Sequence, residues 1–190
     1  MSIAYYDRHA AEYVAQTITW DMTPALEDFL QHLPANSHVL DIGCGSGRDT
    51  LAMLKHGYRV TALDGSSAMV NYSSRLTGQQ TLHQRIEDIT FQETFDGIWA
   101  CASLLHIPAS QLPAVFQQIL VSLRAGGFFW FSFKYGDGDR QDGDRHFTDF
   151  TSQGLREFLG PFAVRMVDLT INQDTQRRPV QWLQALVQKQ

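Results

Sequence analysis

The six residues FFWFSF, at positions 128–133, constrain the fold of this chain more than any other stretch. A strand of this composition has no polar face, so neither side can meet water and other elements must cover both. That excludes an open sheet with one wet side. It calls for a strand inside a layered domain.

The rest of the sequence supplies the layers. VLDI (39–42), YRVTALD (58–64), LHQRI (82–86) and FDGIWACA (95–102) read as strands, with helical patterns over 48–56, 67–75 and 111–124 between them. Repeated strand–helix units predict a parallel sheet with helices on both faces. AVRMVDLTI (163–171) and VQWLQALVQ (180–188), joined by the polar NQDTQRRP, are predicted to pair antiparallel. Ahead of the sheet, Ile3, Tyr6, Ala10, Tyr13 and Thr17 recur at helical steps over residues 3–17. Thr23-Pro24 opens a second helix whose stripe of Leu26, Phe29, Leu30 and Leu33 stops at Pro34. Thr151 is predicted to cap a short helix running to Gly160. The expected fold is α/β: a Rossmann-like, mostly parallel seven-stranded sheet with an antiparallel C-terminal hairpin and helices on both faces, in one domain over residues 1–190.

The chain has 190 residues and a net charge of −5, an acidic balance that argues against a nucleic-acid partner. Cys44 and Cys101 have no CxxC spacing, which points away from a disulfide framework or zinc site and towards a reducing cytoplasm. The N-terminus MSIAYYDRHAAEYVAQ lacks a signal peptide's apolar core, and no run approaches the roughly 20 apolar residues of a membrane span. A cytoplasmic protein is expected, monomeric or homodimeric. YGDGDRQDGDR (135–145) suggests a calcium loop, but counted from Asp137 the sixth position is Asp142, where glycine is needed, and the twelfth is Thr148, where Glu is needed. A flexible solvated loop and no metal are expected there.

The chemistry concentrates in VLDIGCGSGRD (39–49). Glycines behind the first strand of a parallel sheet let the backbone turn sharply and leave no Cβ between chain and ligand. The spacing is Gly-x-Gly-x-Gly, unlike the Gly-x-Gly-x-x-Gly of a dinucleotide site, and no Lys-Ser/Thr follows to make a phosphate loop. Asp64 ends the next strand seventeen residues after Gly47, where a carboxylate can take two ribose hydroxyls. A ribose acid without a phosphate cradle suits a nucleoside bearing no phosphate.

At this point the sequence resembles the class I S-adenosylmethionine-dependent methyltransferases. The likeness is carried by LDIGCGSGRD (40–49), ALDGSSAMV (62–70), RIEDI (85–89), FDGIWACASLLHIP (95–108) and LRAGGFFWFSFK (123–134), in the family's order. It implies S-adenosylmethionine as cofactor, S-adenosylhomocysteine as product, and methyl transfer by in-line displacement. It also implies roles for residues. Gly43, Gly45 and Gly47 would admit the cofactor to the backbone, Asp41 would orient its ammonium, and Arg48 would reach its carboxylate or else form an ion pair at the helix start. Asp64 would hold the ribose, with Gly65 and Ser66 on the same edge. Met69 would face the adenine or simply fill the core. Asp88 and the Ile89 backbone would meet the adenine edge, with Glu87 beside them, unless these acids only face solvent. Ala100 and Cys101 would offer backbone groups to the methionine end, Cys101 being a small buried residue and not a nucleophile.

For the acceptor side the candidates are His106, as a base or as a residue fixing the loop before Pro108, and Tyr5, Tyr6 and Tyr13 on the first helix. YDRHAAEY resembles the family's N-terminal lid helix, so the helices of residues 1–33 would partly form a lid, unless the tyrosines only pack in the core. His146 with Phe147 could close the acceptor pocket. There is no Asn/Asp-Pro-Pro-aromatic of base-amino DNA methylation, no proline before Cys101, no carboxylate pair for magnesium and no paired-glutamate loop. The section 131–151 is loosely similar to tellurite- or thiopurine-detoxifying and tRNA wobble-uridine methyltransferases. A small-molecule acceptor is expected. An RNA methyltransferase or a non-catalytic cofactor-binding protein are the alternatives, and a nicotinamide oxidoreductase is the least supported.

Overall fold

A computed structural model describes residues 2–174 and 180–190. In chain order the elements are α1 (Ser2–Thr17), α2 (Thr23–Leu30), β1 (His38–Ile42), α3 (Arg48–Lys55), β2 (Arg59–Asp64), α4 (Ser67–Thr77), β3 (Leu82–His83), β4 (Phe95–Ala100), α5 (Leu112–Ser122), β5 (Leu123–Lys134), β6 (Gly138–Asp142), β7 (Arg145–Asp149), α6 (Ser152–Leu159), β8 (Val164–Asp174) and β9 (Val180–Lys189). Seven strands form one sheet in the order β3-β2-β1-β4-β5-β9-β8. Pairing is parallel from β3 to β5 and antiparallel for β5–β9 and β8–β9, as the sequence predicts. Part of the connection NQDTQRRP lies outside the described residues.

The two faces of β5 are covered differently. Phe129, Phe131 and Phe133 are fully buried on one of them, where Phe116 of α5 packs at centroid distances of 5.3 and 5.5 Å from the first two. Leu155 and Leu159 of α6 join the same core. On the other face Trp130 stacks on Trp99 of β4 at 3.9 Å, and Leu26, Phe29 and Leu30 of α2 close over the pair. This second cover stops short. Beyond α2, Ser132 of β5, Gln184 and Trp182 of β9 and Thr170 of β8 line an open groove. The expectation of two covered faces therefore holds in full for one face and in part for the other.

Two segments depart from expectation. The Gly- and Asp-rich stretch is an antiparallel hairpin, β6–β7, with Arg140 opposite Phe147 and Asp139 opposite Thr148. Every residue of β6 is exposed, so no apolar alternation marked it as a strand. The ladder is instead reinforced by an Arg140–Asp149 ion pair and by Thr148 donating to Asp139. LHQRI shrinks to the two-residue β3 followed by a turn at Ile86–Asp88, because this edge needs only enough strand to close the sheet.

Candidate cofactor and acceptor site

The site begins with the turn after β1. Gly43 and Gly45 take φ of +67° and +55°, a region open to glycine and costly for other residues. The N–H groups of Gly43 and Cys44 both donate to the Leu63 carbonyl, at 2.9 and 3.0 Å, which pins the turn to β2. A Cβ on Gly43 would sit 2.5 Å from the Ser103 Cβ, whereas one on Gly45 would enter open space. The chain comes this close to β4's extension only because Gly43 has no side chain.

Asp64 closes the other side of the turn. Its two oxygens accept separately from Gly45 N (2.9 Å) and Ser66 N (2.8 Å). Burial lifts its carboxyl above the usual range against the pull of those two backbone donors, and among the described residues no Lys or Arg is paired with it. Such a group gains from further hydrogen-bond donors.

A cavity of about 150 Å³ lies over this turn. Its floor is Gly43, Gly45, Asp64 and Gly65, its far end Met69 and Glu87, its near end Cys101 and His106, and its roof Tyr6 and Tyr13 of α1. Those ten expected residues come together. The others do not line it: Ser66 caps α4 by accepting from Met69 N, Gly47 packs on Ser73, Asp88 is exposed, and Ile89 and Ala100 are core. Arg48 is engaged elsewhere, donating to both oxygens of Asp49 (2.7 and 3.0 Å) and to the Thr17 carbonyl (3.0 Å). Asp41 lies behind the turn, buried, accepting from Thr50 Oγ1 at 2.5 Å. Burial, then the neighbouring Asp49 charge, raises its pKa to about 8. The sequence reading missed Ser2, Ile3, Arg85, Ile86, Ala102, Ser103 and Ile107. Of these Ser103 is conspicuous, because its hydroxyl is buried without a hydrogen-bond partner among the described residues.

His106 and Tyr6 form a pair at the near end. The His106 Nδ1 is 2.7 Å from the His146 carbonyl, which can only accept, so Nδ1 carries the proton and Nε2 is a lone pair. The Tyr6 hydroxyl, 2.8 Å away, donates to that lone pair. Burial lowers the His106 pKa to about 4 and raises that of Tyr6 to about 12, so both are neutral at pH 7. Helix α1 is latched on both rims of the cavity. Asp7 accepts from Ser66 Oγ (2.7 Å), Ser67 Oγ (3.3 Å) and Ala68 N (3.2 Å), while Arg8 pairs with Asp144 and Ser2 Oγ accepts from His146 N.

The open groove beside α2 encloses about 1010 Å³ and meets the first cavity at Cys101 and Ala102. Ala102 has a φ of +52°, and its N–H is held by Ser132 Oγ at 2.9 Å. A non-glycine residue in that region costs about 1 kcal/mol or more, so the seam is a fixed corner.

Residues 39–127 match the family model for a methyltransferase domain. Over 101 residues the chain is 34% identical to a ubiquinone biosynthesis O-methyltransferase of Coxiella burnetii, an alignment covering 50% of this chain and 42% of that protein. Over 141 residues it is 30% identical to the 18S rRNA (guanine-N(7))-methyltransferase bud23 of Schizosaccharomyces pombe, covering 66% and 53%. The chain thus spans about half the length of the curated relatives it matches. Its fold is that of the Burkholderia thailandensis 1,6-didemethyltoxoflavin-N1-methyltransferase, solved with its namesake ligand and S-adenosylhomocysteine, with a TM-score of 0.82 at 24% identity over 99% of this chain and 85% of that one.

Proposed function

We propose that this chain, a member of the class I S-adenosylmethionine-dependent methyltransferase family, moves a methyl group from that cofactor to a small-molecule acceptor. The observation that carries the reading is the Asp64 carboxylate: half-buried, held by two backbone N–H groups, paired with no Lys or Arg among the described residues, and facing a cavity floored by Gly43 and Gly45. A ribose diol supplies the donors such a carboxylate lacks. The partnerless Ser103 hydroxyl offers a donor and acceptor near Gly43, at the methionine end. Met69 and Ile86 give the far end an apolar surface for a purine, and Glu87, held by Arg85 at 2.6 Å, is the acid that reaches it. Asp88 is too exposed for that role.

When bound, the cofactor supplies a methyl group already activated on a sulfonium, so its transfer needs no covalent enzyme intermediate. The protein's part is to hold the reactants in line and dry. Helix α1 would serve the second end. About 150 Å³ is smaller than the roughly 300 Å³ of ordinary small-molecule sites, so the helix in its latched position would have to shift to seat a whole cofactor. At the near end Tyr6 and His106 form a neutral hydrogen-bonded pair, its orientation fixed by the Nδ1–H bond to the His146 carbonyl. With burial holding the His106 pKa at about 4, the pair would orient an acceptor by hydrogen bonding and favours one that needs no strong base. A small molecule is favoured over RNA because the groove beside the cavity carries Asp21, Asp28 and Asp168 and, among the described residues, neither Lys nor Arg.

Calorimetry with S-adenosylhomocysteine tests the reading. Wild type is expected to bind, and Asp64→Ala to lose about 100-fold, two charged hydrogen bonds of roughly 1.5 kcal/mol each. Absence of binding to wild type, or equal binding by the variant, overturns it.

A further inference from the structure

We infer that the groove between α2 and the β5–β9–β8 face is the acceptor site, and that it takes a flat heteroaromatic molecule bearing amino groups. The inference rests on the reading of the smaller cavity as the cofactor site, and it adds where the acceptor lies and what kind it is.

Three features lead there. The first is size and continuity: about 1010 Å³ opens beside the smaller cavity, and only Cys101 and Ala102 line both. A ring seated in the groove can present one edge at that corner. The second is shape. Trp130 and Trp182 stand on neighbouring strands of one sheet face, with Trp20 contributed from the segment before α2. Trp130 is almost wholly buried and stacked on Trp99, so it anchors the floor, and the partly exposed rings are those of Trp182 and Trp20. Aromatic walls on a fixed sheet favour planar ligands, which stack without ordering a flexible side chain.

The third feature is charge. Asp21, Asp28 and Asp168 lie around the groove with Gln184 and Asn172, and His32 is the one residue among the described lining that can become cationic. Carboxylates only accept hydrogen bonds, and the faces of tryptophan attract positive charge. Ring amines and protonated ring nitrogens meet both demands, whereas an acceptor carrying a carboxylate or phosphate would meet three like charges. The β6–β7 side differs: there Lys134, Arg140 and Arg145 gather around Phe147, outside the groove lining.

The test uses two three-ring probes of opposite charge, proflavine (a diaminoacridine cation) and 9-anthracenecarboxylate, titrated at 150 mM salt, with S-adenosylhomocysteine affinity measured in parallel. Wild type is expected to bind proflavine at least tenfold more tightly than the anion. Trp182→Ala and the exposed charge reversal Asp28→Lys should each weaken proflavine about tenfold while leaving S-adenosylhomocysteine within twofold. Proflavine should still bind when S-adenosylhomocysteine is saturating. The inference fails if wild type shows no preference, if neither variant weakens proflavine, or if the nucleoside displaces it competitively. Failure of S-adenosylhomocysteine to bind wild type would instead remove the cofactor reading, and the proflavine results would still report on the groove. Asp28→Lys alters an exposed side chain on α2, so its result stands even if Trp182→Ala unfolds.

Discussion

The two cavities meet at one corner and are assembled in opposite ways. The smaller is floored by residues close in sequence, Gly43 and Gly45 in one turn and Asp64 and Gly65 in the next, cross-linked by backbone hydrogen bonds. The groove is assembled from Trp20, Asp28, Trp130, Asp168 and Trp182, which come together only when α2 crosses the sheet and the C-terminal hairpin folds back beside β5. One is a backbone device and depends on what glycine allows. The other is a side-chain surface and depends on tertiary placement. Substitutions should therefore act all-or-none in the first and by degrees in the second.

The sharpest way to break that contrast is at Gly43. Gly43→Val puts a branched side chain at φ +67° with its Cβ 2.5 Å from the Ser103 Cβ. We expect no measurable S-adenosylhomocysteine binding and a stability loss of roughly 3–5 kcal/mol in urea titrations, left-handed strain adding to overpacking. A variant that keeps its affinity would mean the turn does not form the floor of a cofactor site.

The same contrast explains what could be read in advance. The sheet order and the C-terminal hairpin were legible because apolar runs and helical stripes repeat with fixed periods, and the Gly-x-Gly-x-Gly turn because its spacing has few other uses. Tyr6, Tyr13 and His106 were placed at the cavity from helical spacing and from the position after β4. Arg48 reads either toward the ligand or as an ion pair at the helix start, and it pairs with its own neighbour Asp49, whose Oδ2 also accepts from the Trp99 indole N–H at 3.0 Å. No local pattern announces that indole contact. Ser103 became visible only through its closeness to Gly43, and the groove's tryptophans sit in runs that read equally well as core. The β6–β7 hairpin was hidden because its strength lies in cross-strand polar pairs between residues that look like a loop.

A second measurement sharpens the backbone side of the comparison. Asp41 has a folded pKa of about 8 against 3.8 when unfolded, so across the window between those values the folded chain keeps a proton that the unfolded chain has lost. The resulting cost to stability grows as pH rises from about 4 and levels off above 8. A ligand ammonium placed near this carboxyl lowers its pKa and expels the proton. At pH 7 calorimetry in buffers of different ionisation enthalpy should register release of close to one proton on binding S-adenosylhomocysteine. Asp41→Asn should abolish the release. Proton-neutral binding by wild type would detach Asp41 from the site.

The smallest effect sits beside the seam, at His106, lowered to about 4 from 6.5 by burial. Above pH 6.5 the imidazole is neutral whether or not the chain is folded, and its environment adds no pH dependence. Between about 6.5 and 4 the unfolded chain takes up a proton that the folded one refuses, so stability falls with pH through that window and levels off below it. The loss should be on the order of 2 kcal/mol, allowing for local opening to water. Urea midpoints measured from pH 7.5 to 4 should show it in wild type, and His106→Gln should flatten that part of the curve. Tyr6→Phe separates geometry from burial. With the hydroxyl gone, Nε2 loses its donor at 2.8 Å and protonation in the folded chain becomes easier, so the fall should still begin near pH 6.5 but level off above pH 4 and be shallower. If both variants trace the wild-type curve, the imidazole is reached by water, and the near end of the cavity is open in the way the groove is.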